Sequence, residues 1–399
     1  MKDLSLKKMR LESIMIEPEH MCKKCILLDG SLGVSVNAST GLCNYCEDPK
    51  YKTPSWWKTQ ITEEMRREDL EDWQRVIERA QSRKGKHRYD CIVGYSGGKD
   101  STALLWKMVN EYNLNPLAVT VDSGFIPDTA FENVRDTLQK IRVDHIIIDC
   151  AKETFPKLYK WMFLHQNSED KCLTTSLCEA CSDLVHALVV KEALKQEIDL
   201  ILFGYSPDEI RRYFYEIPQH EIVDEWMPQF FWDESFTEGD RNHFITHEEV
   251  KNRILPRILL PYHVLDYEES KIIELVESKD LVKKGNSSTL KTSCHVIMAA
   301  SFYDLNRYGI IPYALQFSEL IRQDPAVRKK WVITMKQVSP LIKQGKFNKH
   351  GFNFALEKMG ITKSQLSEII QHQLDRDPNR EKIIRNVELF TSQHRRKRN

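Results

Sequence analysis

A short polar run, Ser96-Gly97-Gly98-Lys99-Asp100-Ser101, directly follows the apolar segment Tyr89-Asp90-Cys91-Ile92-Val93-Gly94-Tyr95. The pattern predicts a buried strand, a glycine turn and a helix beginning near Ser101-Thr102-Ala103-Leu104-Leu105-Trp106. That geometry aims several backbone N–H groups and the positive end of a helix at a phosphate. Gly97 and Gly98 let the backbone approach the anion without a Cβ in the way. Lys99 adds a point charge, and Ser96 and Ser101 add hydroxyl donors. The run is not a Walker A loop, because Asp100 follows the lysine and the upstream glycine is missing. The dinucleotide pattern G-x-G-x-x-G is absent too.

Two cysteine sets carry further chemistry. Cys22-x-x-Cys25 and Cys43-x-x-Cys46 are separated by 17 residues, the spacing of a zinc ribbon whose four thiolates enclose one Zn²⁺. Gly30, Gly33, Asn37 and Gly41 supply turns between the knuckles. A closed site of this kind folds or docks a segment; a redox pair or an iron–sulfur site are the other readings of the same spacing. Cys178-Glu179-Ala180-Cys181 is expected to open a helix running to about Gln196. Residues i and i+3 share a helix face, and a helix N-terminus favours thiolate. Taken alone, the pair reads as a catalytic disulfide or persulfide pair or as ordinary cysteines near a helix start. Cys91, Cys150 and Cys172 read as core or neutral positions.

The elements that must position these groups alternate from Tyr89 onward. Strands are expected at 90–94, 117–121, 144–149, 199–203 and 258–260, with helices at 101–112, 128–141, 178–196 and 266–277. Such alternation gives a parallel sheet with covering helices, an α/β fold. Ligands then bind beyond the carboxyl ends of the strands. The phosphate loop, Val121-Asp122-Ser123-Gly124 and Gly204-Tyr205-Ser206-Pro207-Asp208-Glu209 all fall there. The expected organisation is a ribbon over 1–50, a charged helical connector over 51–88, a nucleotide domain over 89–295 and a mostly helical region over 296–399. The connector has helical spacing from Glu63 to Arg83, and Trp56 and Trp57 are expected to pack against the next domain. Residues 210–256 form an aromatic, acidic insertion without a clear period, and Pro312, Pro325 and Pro340 are expected to break the C-terminal helices.

SGGKDS at the end of a first strand resembles the PP-loop of the ATP pyrophosphatase (adenine nucleotide alpha-hydrolase) superfamily. The resemblance implies a parallel-sheet, HUP-like fold in which Ser96–Ser101 grip the outer phosphates of ATP. An acceptor oxygen attacks the α-phosphorus, pyrophosphate leaves, and a second nucleophile displaces AMP. The block from Cys178 to Glu209 resembles the tRNA two-thiolation enzymes of that superfamily. Carried over, Cys178, Cys181 and Cys294 hold a 4Fe–4S cluster, while Asp208 and Glu209 help hold Mg²⁺–ATP. Leu260-Pro261-Tyr262 followed by Glu268-Glu269 resembles a later segment of the same family. Departures are Tyr205 and Ser206 in place of His and Asn, and Ser182-Asp183-Leu184-Val185 where glycine and arginines usually stand. The ribbon with Gly41-Leu42-Cys43-Asn44-Tyr45-Cys46, the charged helix and the loop together resemble N-acetyl sugar amidotransferases, which use ammonia from a glutaminase partner.

These resemblances make Lys99, Asp100, Asp208, Cys178 and Cys181 the expected catalytic residues. The expected nucleotide contacts are Ser96, Gly97, Gly98, Lys99, Asp100, Ser101, Asp122, Ser123, Gly204 and Glu209. The expected cofactors are ATP, Mg²⁺, Zn²⁺ at Cys22, Cys25, Cys43 and Cys46, and an iron–sulfur cluster. The expected partners are ATP, an acceptor, a sulfur donor or a glutaminase, and a second copy of the chain.

The 399 residues are 41% apolar and 29% charged, with zero formal net charge. That balance lacks the basic excess of a strong nucleic-acid binder; the tail His394-Arg395-Arg396-Lys397-Arg398 is the local exception for RNA. No membrane span is expected. The first residues lack the apolar core of a secretory signal, and the ten cysteines then fit a reducing cytoplasm.

Overall fold

The computed structural model describes residues 20–48, 61–165, 171–207, 209, 213–287, 293–323 and 325–391. The chain divides into two compact units. One comprises Ile61–Leu158 and Glu179–Cys294; the other comprises Met1–Gln60, Tyr159–Cys178 and His295–Asn399. Helices of eight residues or more carry numbers.

The first unit is built on a six-stranded sheet in the order β3-β2-β1-β4-β6-β5. Its strands are β1 Cys91–Gly94, β2 Pro116–Val121, β3 His145–Ile148, β4 Leu200–Phe203, β5 Glu216–Ile217 and β6 Arg257–Leu259. All neighbours are parallel except β5, which pairs antiparallel with β6. The chain winds outward from β1 to β3, then returns to place β4 on the other side of β1. The strand order therefore reverses between β1 and β4, which is where open α/β sheets bind ligands. The predicted α/β fold is the observed one.

Continuous apolar strands belong in a sheet covered on both faces. The side chains of Cys91, Ile92 and Val93 and of Leu200, Ile201 and Leu202 are all buried accordingly. Helices α1 Glu63–Ser82, α2 Lys99–Asn110, α3 Asp128–Ile141 and α6 Glu269–Ser278 accompany the sheet. The core joins Trp73 and Ile77 of α1, Leu104 and Met108 of α2, Leu202, Leu259, Ile272 and Val276. The connector helix α1 matches its expected span, with Thr62 accepting from the Met65 N–H as its N-cap. Arg257 of β6 ties it to the sheet through Asp72 at 2.8 Å and Glu216 at 2.6 Å. Trp56 and Trp57 lie outside the described residues.

Helices α4 Thr154–His165 and α5 Leu173–Gln196 each contain a boundary between the units. Among the described residues α5 is the one helix that length and composition alone would allow to cross a membrane. Its most apolar stretch is 56% buried in protein.

The second unit combines the ribbon with α7 Val296–Tyr308, α8 Ala314–Gln323, α9 Arg328–Lys343, α10 Lys349–Met359, α11 Lys363–Leu374 and α12 Arg380–Thr391. Helix α7 is buried along nearly its whole length and packs against α9, α10, α11 and α12. Pro340 does not break its helix: α9 runs through it and ends three residues later. The proline forfeits one N–H bond, to the carbonyl four residues earlier, and the helix runs on past that loss for three residues only. The insertion at 210–256 contains β5, which pairs antiparallel with β6 at the edge of the sheet.

Candidate active site

The loop after β1 is built by its two glycines in different ways. Gly97 sits at φ +75°, and a Cβ on it would lie 2.4 Å from the Ala130 carbonyl oxygen and 2.9 Å from Val134 Cγ2. Only glycine fits that backbone without displacement. Asn133 Nδ2 donates to the Gly97 carbonyl at 3.1 Å, which anchors the turn on α3. Gly98 is the N-cap of α2 and lacks a side-chain cap. The first-turn N–H groups of Lys99, Asp100 and Ser101 are therefore presented at an uncapped, positive helix end. The helix begins at Lys99, two residues earlier than the sequence suggested, so Lys99 and Asp100 stand on its first turn.

Hydroxyls fix the rest. Ser101 Oγ donates to the Gly98 carbonyl at 3.2 Å and lies 3.2 Å from Ser96 Oγ, while the Gly98 N–H donates to Ser96 Oγ at 3.3 Å. Lys99 is 7% exposed, and its Nζ pairs with Asp100 Oδ2 at 2.6 Å and with Glu269 Oε1 at 3.4 Å. Burial works to discharge this ammonium, but the carboxylates of Asp100, Glu269 and Glu209 outweigh it and hold the Lys99 pKa above its usual value. Asp100 is held in turn: Tyr267 donates to its Oδ1 at 2.8 Å and Tyr262 to its backbone carbonyl at 3.2 Å. Burial, then the neighbouring Asp100 charge, push the Tyr267 hydroxyl well above its usual pKa, so it stays a donor.

The segment after β4 lies on the same helix end. A Cβ on Gly204 would meet Ser101 Cα at 3.0 Å and the Asp100 carbonyl at 3.1 Å, so glycine here allows the two loops to touch. The Ser206 N–H donates to Glu209 Oε2 at 2.9 Å. Asp208 lies outside the described residues. After β2, Asp122 accepts from the Gly124 N–H at 2.8 Å and pairs with Lys152 at 2.6 Å; Ser123 Oγ accepts from the Phe125 N–H at 3.3 Å. The loops after β1 and β4 touch at Gly204, and the loop after β2 leaves the same edge of the parallel sheet. Tyr267, Asn133 and Lys152 were not singled out in the sequence, and Glu269 was named only within the resemblance that follows Pro261. A lone hydroxyl and a lone acid on a charged helix start give no pattern; only the resemblance around Pro261 hinted at that segment.

In the other unit, Cys22, Cys25, Cys43 and Cys46 are buried and their Sγ atoms lie within 4.8 Å of one another, with Cys25 and Cys43 at 3.7 Å. Among the described residues this is the one group of three or more potential ligands that converges so. Four sulfurs about 2.3 Å from a tetrahedral Zn²⁺ would stand about 3.8 Å apart, so the donor set and spacing suit that ion. The N–H groups of Lys24, Cys25 and Cys43 approach Cys22 Sγ at 3.3 to 3.5 Å, as they do around a thiolate. Gly30, Gly33 and Gly41 all take positive φ in the intervening turns.

The second cysteine pair differs from expectation in one respect. Helix α5 begins at Leu173, so Cys178 and Cys181 lie beyond its first turn and do not open it. The helix end is satisfied by Asp304 of α7, which accepts from the N–H groups of Leu173 at 2.7 Å and Thr174 at 3.1 Å. Stabilisation of a thiolate by a helix dipole falls off within the first turn, so that argument does not apply to this pair. Cys178 belongs to the ribbon-bearing unit, with Sγ 3.5 Å from the Tyr313 hydroxyl, whereas Cys181 and Cys294 belong to the sheet unit. Cys91 and Cys172 are buried and Cys150 is exposed.

No family model matches the chain. An uncharacterised protein of Methanocaldococcus jannaschii is 37% identical over 62 residues, 16% of this chain and 22% of that one. The chain thus spans about a fifth of the curated relative it matches. Among solved structures, NMN synthetase from Francisella tularensis is similar at 12% identity over 81% of this chain and 92% of that chain, with a TM-score of 0.32. The U34-tRNA thiolase NcsA from Methanococcus maripaludis, with its 4Fe–4S cluster, is similar at 13% identity over 82% and 89%, with a TM-score of 0.33. At those scores the likeness carries no argument, and the fold rests on the strand order itself.

Proposed function

We propose that this protein is an enzyme that binds ATP across the ends of β1 and β4 and transfers AMP to an acceptor oxygen. One observation carries the reading: the uncapped first turn of α2, with Lys99 and the hydroxyls of Ser96 and Ser101, lies at the point where the strand order reverses. The outer phosphates fit the N–H groups and Lys99, which leaves the α-phosphorus open. An acceptor carbonyl or amide oxygen attacks that phosphorus, the bond to the bridging oxygen breaks, and pyrophosphate leaves. A second nucleophile then attacks the activated carbon and AMP departs. The rate comes from position and charge neutralisation. Asp100, Glu209 and Asp208 would hold Mg²⁺, which supplies charge neutralisation when bound. Asp122 and Ser123 lie toward the adenosine.

Sulfur is the favoured second nucleophile, supported by Cys178 and Cys181 one turn apart on α5. With Cys294 these would be the residues to hold a 4Fe–4S cluster, which binds and activates sulfide. Ammonia is the other reading. Protein prepared without oxygen should be brown and lose its colour in Cys178→Ala; colourless protein favours ammonia. The test of the whole reading is Lys99→Ala, expected to abolish pyrophosphate release while leaving the fold intact. Wild-type release from a folded variant would refute it.

A further inference from the structure

The ribbon meets α9 and α12, more than three hundred residues away along the chain, within one unit, and the α9 contacts centre on the first Cys-x-x-Cys knuckle. Arg328, the first residue of α9, donates from Nη2 to the Cys22 carbonyl at 2.9 Å and from Nε to the Cys25 carbonyl at 3.0 Å. One planar guanidinium therefore spans both carbonyls of the first Cys-x-x-Cys knuckle. The Cys22–Lys23 peptide is gripped on its other edge as well, since the Lys23 N–H donates to the Gly41 carbonyl at 2.9 Å. That bond joins the first knuckle to the turn that precedes the second. On a second side, Lys382 pairs with Asp29 at 2.9 Å, and Asn386 Nδ2 donates to the Asp29 carbonyl at 3.0 Å and to Ser31 Oγ at 3.2 Å. Gly30 sits at φ +84° where a Cβ would lie 2.7 Å from Lys382 Cβ, so the turn is shaped to the helix.

The charge pattern of α9 is unusual on its own. Arg328, Lys329 and Lys330 occupy its first turn, and no acidic residue stands there. Cations at the positive end of a helix dipole are disfavoured by about 0.3–1 kcal/mol, and a nearby anion offsets that cost. A tetrathiolate holding Zn²⁺ is a dianion, and Arg328 lies against the backbone of two of its ligands.

We infer that Arg328 is a positioning residue of the metal centre: it supplies counter-charge to the metal-loaded tetrathiolate and fixes the first knuckle, so metal loading fastens the ribbon onto α9 and α12. The C-terminal helices thereby gain a role, as the seat of the ribbon. Groups just outside the ligands tune metal affinity by about tenfold to a hundredfold. Lysine cannot span two carbonyls as a planar fork does.

The experiment uses the full chain loaded with Zn²⁺ and follows metal transfer to a colorimetric chelator. Arg328→Met is expected to release the ion about tenfold faster than wild type. Arg328→Lys should fall between them, and Lys382→Met, which loosens docking without approaching the sulfurs, should stay within about twofold of wild type. Amide exchange in α12 should quicken when the metal is stripped from the wild-type chain. Equal release from wild type and Arg328→Met would overturn the inference. So would a Lys382→Met variant as fast as Arg328→Met, or a chain that takes up no metal. If Arg328→Met fails to fold, Arg328→Lys against wild type decides: faster release supports the role and unchanged release refutes it.

Discussion

Tyr267 donates its hydroxyl proton to Asp100 Oδ1 at 2.8 Å, leaving the other carboxylate oxygen for Lys99 at 2.6 Å. The carboxylate is thus oriented from the start of the segment leading into α6, far along the chain from the loop it serves. A hydrogen bond to a charged group contributes about 1.5–3 kcal/mol, and every 1.4 kcal/mol is about tenfold in a rate. Tyr267→Phe is expected to lower kcat/KM for pyrophosphate release by tenfold or more while the melting temperature changes little. Steady-state kinetics beside a thermal melt check this. Unchanged kinetics would show that Asp100 needs no such support.

Lys99 has a second carboxylate neighbour in Glu269, whose side chain is 62% exposed. A triphosphate arriving at Lys99 must compete with that pair. Exposed ion pairs of this sort are worth about 0.2–1 kcal/mol, so Glu269→Gln is expected to tighten ATP binding about two- to fivefold. Titration calorimetry with ATP measures it. Weaker binding in the variant would instead make Glu269 part of the nucleotide site.

Much of this arrangement is legible in the amino-acid sequence, for physical reasons that vary by residue. Ser96 to Ser101 could be read because a glycine pair, a lysine and two hydroxyls at the end of an apolar run have few other uses. The ribbon could be read because metal geometry dictates ligand spacing. The start of α5 could not, since its first N–H groups are satisfied by Asp304, which stands 131 residues from Leu173. Helix ends satisfied by tertiary contacts leave no capping residue in the local sequence. Tyr267 and Arg328 were hidden likewise, as each acts on a partner remote in sequence. β5 is two residues long and exists because β6 offers it an edge.

The two glycines of the loop should respond differently to a methyl group. In Gly97→Ala the new Cβ meets a backbone carbonyl at 2.4 Å, and the residue must hold φ +75°. The left-handed backbone alone costs about 1–2 kcal/mol, so a fall of several degrees in melting temperature is expected, with loss of ATP binding. In Gly98→Ala the nearest atom is Ser96 Oγ at 3.3 Å, and φ is −78°. That variant should melt close to wild type. Differential scanning fluorimetry of the pair separates them, and equal melting temperatures would contradict the loop geometry.

Asp304 gives the fold a pH dependence of opposite sign to most carboxylates. It is fully buried, and burial pushes its carboxyl up to about 6, although the hydrogen bonds from Thr174 and Leu173 pull the other way. The unfolded chain holds this proton only to its ordinary value of 3.8. Between those two values the folded molecule binds more protons than the unfolded one, so this group's contribution to stability declines as pH rises. The decline is complete once the pH passes about 6, where the carboxylate is charged in both states. Asp304→Asn cannot ionise, yet its amide oxygen still accepts from the start of α5. The difference in melting temperature, variant minus wild type, is therefore expected to increase from pH 4 to pH 6 (roughly the window between the two values) and to level off above it. Thermal melts of both proteins in a matched buffer series measure that difference. A difference that stayed flat across the window would mean that Asp304 titrates alike in the folded and unfolded chain.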